Sequence, residues 1–237
     1  MNNKCLSQAF KVTLPVLCGY ITLGIAFGLV VVNEGYPWWL SPLSSLIMYS
    51  GASQFVAIGL FAANTPLHTI LITLTLVGIR HIVYGLSLIT KFKNTGKWKF
   101  YLIFSLSDET YSLQTTLDPP EGVSAGQFYG TIGLLDQSYW VLGTLIGAVA
   151  GQFIPFDFAG VDFSLTALFA VMTVEQILKT KDWGPIIIGT VATIIAIILM
   201  KVGIISSSNI LLVSLCAGIA TILITKRRKE DKNDKSN

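Results

Sequence analysis

The sequence predicts an all-α integral membrane protein, because its hydropathy is high, its charge is low and its apolar runs are long. Mean hydropathy is +0.67, 52% of the 237 residues are hydrophobic and 12% are charged, whereas soluble domains carry about 25% charged residues. A crossing helix needs about 20 apolar residues, so the chain has room for about six to eight crossings. No hydrophilic stretch is long enough for a soluble catalytic domain.

Apolar runs follow one another along the chain, and proline and glycine mark the joints between them. The runs cover residues 12–32, 41–63, 67–89, 100–117, 131–153, 163–178, 184–201 and 208–225. The first run is predicted to be an uncleaved helix, because no small-residue cleavage site follows it. The tryptophans lie near segment ends, where interfacial anchoring is their usual role. They are Trp38, Trp39, Trp98, Trp140 and Trp183.

Two of the runs are predicted not to cross the membrane. Lys-rich stretches belong on the cytoplasmic side, yet three apolar runs separate the N-terminus from the first Lys-rich loop at 91–99. The conflict disappears if run 41–63, with YSGASQ at its middle, enters from outside as a re-entrant or broken segment. By the same reasoning, run 163–178 re-enters from inside. This reasoning predicts about six transmembrane helices and two re-entrant or broken segments, with both termini cytoplasmic. The acidic loop at 118–121 lacks Lys and Arg, which permits the outside.

A single transmembrane domain is predicted over residues 1–225, followed by a basic, disordered cytoplasmic tail at 226–237. Residues 12–117 and 131–225 each contain a Gly-rich helix, a broken segment with a glutamine, and a long helix preceded by proline. Each half would contain three crossings, so the second half would be inverted relative to the first. Inverted repeats of this kind are the architecture of many secondary transporters.

Ionisable residues interrupt the apolar runs, and they are the first candidates for a transport path. Charge at membrane depth costs at least a few kcal/mol per group, and such groups usually face the protein interior or a water cavity. These residues are Arg80, His81, Asp108, Glu109, Asp136 and Glu175. The alternative is that they only pair with one another to hold helices together.

Arg80 stays protonated and therefore needs a partner. Asp108 or Glu109, at a similar depth in the next run, is expected to pair with it in a gate or coupling network, together with Tyr84 one turn beyond Arg80. His81 titrates near neutrality and is a candidate for proton relay. Asp136 and Glu175 are further candidates for carrying protons.

The GASQ sequence at 51–54 is the candidate substrate-binding element. Gly51, Ala52 and Ser53 leave room for the backbone to approach a ligand, and Gln54 adds a donor and an acceptor. A broken helix exposes N–H groups that attract a carboxylate and C=O groups that attract a cation, which suits an amino-acid zwitterion. The alternative is that the glutamine only caps the break.

Other site classes find no support in the sequence. Its two histidines and three cysteines have no metal-ligand spacing, and the motifs of metalloproteases and nucleotide-binding loops are absent. No metal or cofactor is therefore expected. The KRRK sequence of the tail predicts orientation and lipid contact rather than nucleic-acid binding. Gly19, Gly24 and Gly28 in the first run are predicted to permit close helix packing.

The order of the motifs LGIAFG, MYSGASQFVAIGLF, IRHIVYGLSL and SLSDETYSL resembles the large subunit of the AzlC-type (azaleucine-resistance) branched-chain amino acid exporters. The resemblance covers residues from about 15 to 117. It implies export of leucine, isoleucine, valine and methionine across a bacterial cytoplasmic membrane, driven by an ion gradient, with protons as the expected ion. It also implies a small hydrophobic partner subunit of the AzlD type.

Two alternatives of other classes remain. The chain could be a non-transporting membrane subunit that stabilises a partner permease, with its small-residue faces carrying that function. It could also be an intramembrane enzyme, although no nucleophile and base stand at one depth in the sequence.

Overall fold

The computed structural model describes residues 3–153 and 181–234, and between them residues 163, 166, 167, 170, 173, 174, 177 and 178. Every regular element in these ranges is helical, which confirms the all-α class. The helices are α1 (Asn3–Asn33), α2 (Leu40–Ile47), α3 (Gly51–Ala62), α4 (Leu67–Ser87), α5 (Trp98–Phe104), α6 (Asp108–Thr116), α7 (Ala125–Phe153), α8 (Gly184–Lys201) and α9 (Ile210–Asp234). A short 3-10 helix, Ser207–Asn209, precedes α9.

Within the described residues, α1, α4, α7 and α8 are long and apolar enough to cross a membrane. The chain is therefore a multi-pass membrane protein, as its hydropathy predicts.

The chain divides into two compact units. One comprises Met1–Ile58 and Val77–Thr166, and the other comprises Gly59–Leu76 and Ala167–Asn237. In the second unit α8 packs against α9, and the Thr69 hydroxyl donates a hydrogen bond to Asn209 Oδ1 at 3.3 Å. All the residues that form the candidate site belong to the first unit.

The first unit is built on α1 and α7, which run side by side in the same direction. Near their starts, Cys5 Sγ lies 3.7 Å from Thr131 Oγ1. Further along, Thr13 Oγ1 lies 3.1 Å from Tyr139 Oη. Residue numbers rise together in both helices, so the two helices are parallel.

Glycines let the backbones of α1 and α7 touch. A Cβ atom on Gly24 would lie 2.9 Å from the Thr144 nitrogen, and one on Gly143 would lie 2.9 Å from the Tyr20 carbonyl oxygen. Side chains at Gly28 and Gly147 would collide with the facing backbone outright. Helix association in lipid depends on such close packing, so the packing role predicted for Gly24 and Gly28 is confirmed. Gly19 faces open space.

The predicted break in run 41–63 is present as a hairpin of α2 and α3. Helix α2 ends at Ile47 and α3 begins at Gly51, and Tyr49 between them has a left-handed φ of 38°. With a rise of 1.5 Å per residue, α2 and α3 are about 12 and 18 Å long, too short to cross a core of about 30 Å. Ser44 and Ser45 of α2 both contact Gln54 of α3 at 3.0 Å, so the two helices lie antiparallel.

Run 100–117, which the sequence predicts as one crossing, is a second hairpin. Helix α5 ends at Phe104, and Ser107 caps α6 by accepting a hydrogen bond from the Thr110 N–H at 3.1 Å. Helix α5 runs parallel to α7 from Trp98, which packs on Gly126 and Gly130, to Ser105, which packs on Gly133.

Helix α6 runs back along α7 in the opposite direction. Thr110 at its start contacts Asp136 at 2.7 Å, and Gln114 one turn later contacts the Tyr129 carbonyl at 3.2 Å. The chain therefore returns to the end from which α5 started.

The second hairpin changes the expected topology. Lys91 Nζ lies 3.4 Å from Asp118 Oδ1, and Lys4 Nζ donates to the Glu121 carbonyl at 3.4 Å. The acidic loop therefore lies at the same end as the N-terminus and the Lys-rich loop, not at the opposite end that the sequence permits. An inverted repeat of residues 12–117 and 131–225 would give α1 and α7 opposite directions, whereas the two helices run in the same direction.

Two further predictions concern the C-terminal half. The second re-entrant segment, 163–178, falls mostly outside the described residues, as do Glu175 and Gln176. Helix α9 continues to Asp234, whereas the sequence predicts a disordered tail from residue 226. The tail is rich in lysine and arginine, which are good helix formers and can extend a helix that has already started.

Candidate functional site

The tips of the two hairpins meet about half-way along α1 and α7. The rings of Tyr49, at the tip of α2–α3, and Phe104, at the tip of α5–α6, have centroids 6.5 Å apart. The Tyr49 hydroxyl lies within electrostatic reach of Asp136 in α7 and beside Thr110 in α6. Tyr20 of α1 joins the same group, because its hydroxyl contacts Ser107 and Glu109 at the start of α6.

A chain of polar contacts runs through this meeting point. Tyr20 Oη lies 2.6 Å from Glu109 Oε2 and 2.6 Å from Ser107 Oγ. Ser107 Oγ lies 2.9 Å from Thr110 Oγ1, which lies 2.7 Å from Asp136 Oδ2. We call these five residues the hydroxyl relay. It places the carboxyl groups of Glu109 and Asp136, both predicted site residues, at its two ends.

The two ends of the relay differ in accessibility. Asp136 is 0% exposed, and Thr110 beside it is also 0% exposed. Glu109, by contrast, is an exposed residue of the chain. Asp136 Oδ1 and Tyr49 Oη are buried and have no hydrogen-bond partner among the described residues. The relay thus connects the carboxyl group of an exposed residue to a buried carboxyl group whose Oδ1 has no hydrogen-bond partner in the described part of the chain.

Arg80 forms an ion pair beside the relay. Its Nη1 lies 3.0 Å from Asp108 Oδ2, so Asp108 is the partner rather than Glu109. Tyr84 donates a hydrogen bond to Asp108 Oδ1 at 2.6 Å and stacks on Tyr111 at a centroid distance of 4.3 Å. The C-terminal part of α4 is therefore linked to the first turn of α6, where Asp108 and Glu109 are adjacent.

His81 lies beside this ion pair and not on the relay. Its Nδ1 is 3.1 Å from the Gly78 carbonyl oxygen, and its ring meets Tyr84 edge-on at 6.0 Å. Glu175, the other candidate for proton movement, lies outside the described residues.

The GASQ sequence forms the first turn of α3, next to the tip. Ala52, Ser53 and Gln54 are buried, and a Cβ atom on Gly51 would lie 3.0 Å from the Trp140 ring. The Ser50 hydroxyl donates to Ser53 Oγ at 3.0 Å. The N-terminal end of α3 therefore points at the meeting of the two hairpins.

Gln54 forms hydrogen bonds with three side chains of neighbouring helices. Its Nε2 donates to Ser44 and Ser45, each at 3.0 Å, and its Oε1 accepts from Trp140 Nε1 at 2.8 Å. The amide ties α3 to both α2 and α7. This geometry favours the alternative in which the glutamine holds the break together.

Aromatic side chains line α1, α3 and α7 next to the tip. Trp140 packs edge-on to Tyr20 at 5.6 Å and stacks on Phe27 at 6.4 Å, and Phe27 meets Phe55 edge-on at 5.2 Å. Trp140 is 4% exposed, so it is a core residue and not the interfacial anchor that its position in the sequence predicts.

The sequence reasoning missed the uncharged members of the site, namely Tyr20, Tyr49, Ser107, Thr110 and Trp140. One signal was available, because Ser107 followed by Asp108 and Glu109 has the composition of a helix start. No group of three or more His, Cys, Asp or Glu side chains within the described residues could hold a metal ion.

The sequence model of the family described as AzlC protein matches residues 15–154. The chain belongs to the AzlC family. This match extends beyond the motifs to include α7, with Asp136 and Trp140.

Relatives of the chain are known from several bacteria. It is 36% identical over 193 residues to the branched-chain amino acid transport protein AzlC of Bacillus subtilis. That alignment covers 81% of this chain and 76% of the relative. It is 35% identical to an uncharacterized membrane protein of Helicobacter pylori, over 96% of this chain and 97% of the relative. It is 33% identical to the inner membrane protein YgaZ of Escherichia coli, over 68% and 69%. No solved structure matches significantly.

Proposed function

We propose that the chain is the large subunit of a secondary transporter that exports leucine, isoleucine, valine and methionine across a bacterial cytoplasmic membrane in exchange for protons. A transport role is supported by the family and by the name of the Bacillus subtilis relative. The observation that carries the proposal is the meeting of two helical hairpins around Glu109 and Asp136, half-way along the crossing helices. A buried carboxyl group at such a depth, as that of Asp136 is, is typical of proton-driven carriers.

The substrate zwitterion binds where the hairpin tips meet. Its carboxylate is received by the N-terminal amides of α3, at Gly51, Ala52 and Ser53, because a helix N-terminus attracts negative charge. Its ammonium group is received by Asp136 Oδ1 and Tyr49 Oη, two buried oxygens that have no hydrogen-bond partner among the residues that the structure describes. Gln54 supports this site by holding the hairpin closed.

Substrate and proton then compete for Asp136. A proton on Asp136 removes the negative charge that the ammonium group needs, so binding of one favours release of the other. This competition is the simplest way to couple the outward movement of a cationic group to the inward movement of a proton.

The pair of Arg80 and Asp108, with Tyr84, acts as a gate or coupling element between α4 and α6. Its side chains are only partly buried, with relative exposures of 25% and 31%, so the pair can open at modest cost. His81 beside it and Glu175 are further candidates for proton movement. A small hydrophobic AzlD-type subunit completes the transporter, and both termini face the cytoplasm.

The test is efflux of radiolabelled leucine from preloaded cells that express the chain with its AzlD-type partner, with and without a protonophore. We expect faster efflux than in cells without the chain, and we expect the protonophore to abolish the difference. Asp136→Asn should remove the difference as well, at an unchanged protein level in the membrane.

Two other results would contradict parts of the proposed function. If the partner alone moved leucine, and this chain only raised the level of the partner in the membrane, the chain would be a stabilising subunit. If leucine efflux were absent with both proteins present in the membrane, the substrate class would be wrong.

A further inference from the structure

The hydroxyl relay contains one hydrogen fewer than its contacts require when both of its carboxyl groups are ionised. It has four O···O contacts of 2.6 to 2.9 Å, from Glu109 through Tyr20, Ser107 and Thr110 to Asp136. Each contact needs one hydrogen between its two oxygens. Each of the three hydroxyl groups supplies one hydrogen, so one contact lacks a hydrogen unless a carboxyl group is protonated.

Tyr20 shows this shortage most directly. Its oxygen lies 2.6 Å from both Glu109 Oε2 and Ser107 Oγ, but its single hydrogen can occupy only one of these contacts. The other contact must receive its hydrogen from the neighbour, either from a protonated Glu109 or from Ser107. In the second case the hydrogens of Ser107 and Thr110 point toward Tyr20, and Asp136 must be the protonated end.

We propose that Glu109 and Asp136 share one proton through Tyr20, Ser107 and Thr110, and that this relay is the path by which the buried Asp136 gains and loses its proton. The proposal rests on the proposed function only for its role in transport, because the shared proton follows from the contacts themselves. It assigns a positioning and proton-transfer role to three uncharged residues.

The transfer step balances without any further reactant. A proton on Glu109 Oε2 passes to Tyr20 Oη while the Tyr20 hydrogen passes to Ser107 Oγ, the Ser107 hydrogen to Thr110 Oγ1 and the Thr110 hydrogen to Asp136 Oδ2. Four O–H bonds break and four form. Each hydroxyl group ends with one hydrogen, and the negative charge moves from Asp136 to Glu109.

The position of the relay suits proton entry. Glu109 is an exposed residue and Asp136 is 0% exposed, so a proton that reaches Asp136 by this route enters the relay at Glu109. The position of the Ser107 hydroxyl in the relay is fixed, because its oxygen also accepts a hydrogen bond from the Thr110 N–H at 3.1 Å. Other charged groups face this region from the same helix turn, namely Asp108 with its partner Arg80 on α4.

Infrared spectroscopy of the purified complex with its AzlD-type partner tests the shared proton without any transport assay. We expect a protonated-carboxyl C=O band at neutral pH that disappears in the Glu109→Gln/Asp136→Asn double variant and persists in Asp108→Asn. An unchanged band in the double variant would overturn the shared proton.

Thr110→Val tests the path, because valine keeps the shape of threonine and removes the hydroxyl. In liposomes, we expect proton-driven leucine accumulation to fall by roughly a hundredfold, within the range that positioned proton-transfer groups contribute. Leucine–leucine exchange, which needs no net proton transfer, should continue. Thr110→Ser should restore coupling, and Thr131→Val, which removes a buried hydroxyl bonded to the Gln127 carbonyl, should leave it unchanged.

Failure of the relay and failure of the proposed function would give different experimental results. Proton-driven transport at the normal rate in Thr110→Val, or transport that needs sodium and ignores the proton gradient, would overturn the relay. Absence of all leucine transport in the wild-type complex would instead overturn the proposed substrate, and the infrared result would still decide the shared proton.

Discussion

Gln54 is a buried amide, 2% exposed, whose hydrogen bonds to Ser44, Ser45 and Trp140 connect three helices. Gln54→Ala would leave the buried Trp140 N–H without an acceptor, at a cost of about 1–3 kcal/mol for each orphaned group. We expect a lower apparent Tm of the purified protein in detergent and little change in the KM for leucine among molecules that remain folded. An unchanged Tm with a raised KM would instead mean that Gln54 contacts the substrate.

Arg80 and Asp108 form the ion pair that we assign to gating. Arg80→Ala leaves Asp108 without its positive partner, and we expect leucine efflux to fall at least tenfold at a normal protein level, since hydrogen bonds to charged groups contribute about 1.5–3 kcal/mol. Lys93→Ala is the control, because Lys93 is an exposed basic residue of the loop that follows α4. Efflux at the normal rate in Arg80→Ala would exclude the gating role.

The sequence singles out the charged candidate residues because charge inside an apolar run is conspicuous. Arg80, Asp108, Glu109 and Asp136 all lie at or beside the meeting of the hairpins, in the first unit. Tyr20 was not predictable in the same way. Hydroxyl and aromatic side chains are common in crossing helices for packing and anchoring, so only the tertiary contacts distinguish it.

At the scale of helices, the contact of α1 with α7 depends on the absence of side chains at Gly28 and Gly147. Gly147→Ala places a Cβ against the Ile25 carbonyl, and backbone cannot move aside as a flexible side chain can. We expect strongly reduced amounts of folded protein, measured by size-exclusion chromatography in detergent. Gly19→Ala has open space around it and should be neutral or slightly stabilising, because alanine favours a helix by up to about 1 kcal/mol. Equal yields from both variants would contradict the close packing.

The hairpin of α5 and α6 predicts which loops share one side of the membrane. Asn94→Cys and Glu121→Cys, in a chain whose three native cysteines are replaced by serine or alanine, should both react with an impermeant thiol reagent from the same side. The two loops lie together through the Lys91–Asp118 contact at 3.4 Å. Reaction from opposite sides would mean that residues 100–117 cross the membrane after all.

The sequence located one of the two breaks and missed the other for a physical reason. YSGASQ contains a glycine within small and polar residues, which weakens a helix locally. Run 100–117 has no glycine or proline near Ser107, and its break depends on a serine cap followed by two acidic residues. Because this break was not predicted, the sequence analysis allowed the loop at 118–121 to lie at the opposite end from the N-terminus, and the predicted inverted repeat gave α7 the opposite direction to α1.

At the scale of the whole molecule, hydropathy sufficed to predict a multi-pass all-α protein, because every backbone group in lipid must be hydrogen-bonded within a helix or barrel. The directions of the helices were less predictable, since a re-entrant hairpin of α5 and α6 and a single crossing have nearly the same hydropathy. The meeting of the two hairpin tips at Tyr49 and Phe104 follows only from the fold. The central claim that results is that leucine and a proton exchange at Asp136.

That claim is tested most directly by proton movement driven by leucine. The chain and its AzlD-type partner would be reconstituted in liposomes that enclose leucine and a pH-sensitive dye, and then diluted into leucine-free buffer. We predict that leucine leaves and that the lumen acidifies as protons enter, with both movements lost in Asp136→Asn. Leucine efflux without any change of lumenal pH would contradict the account.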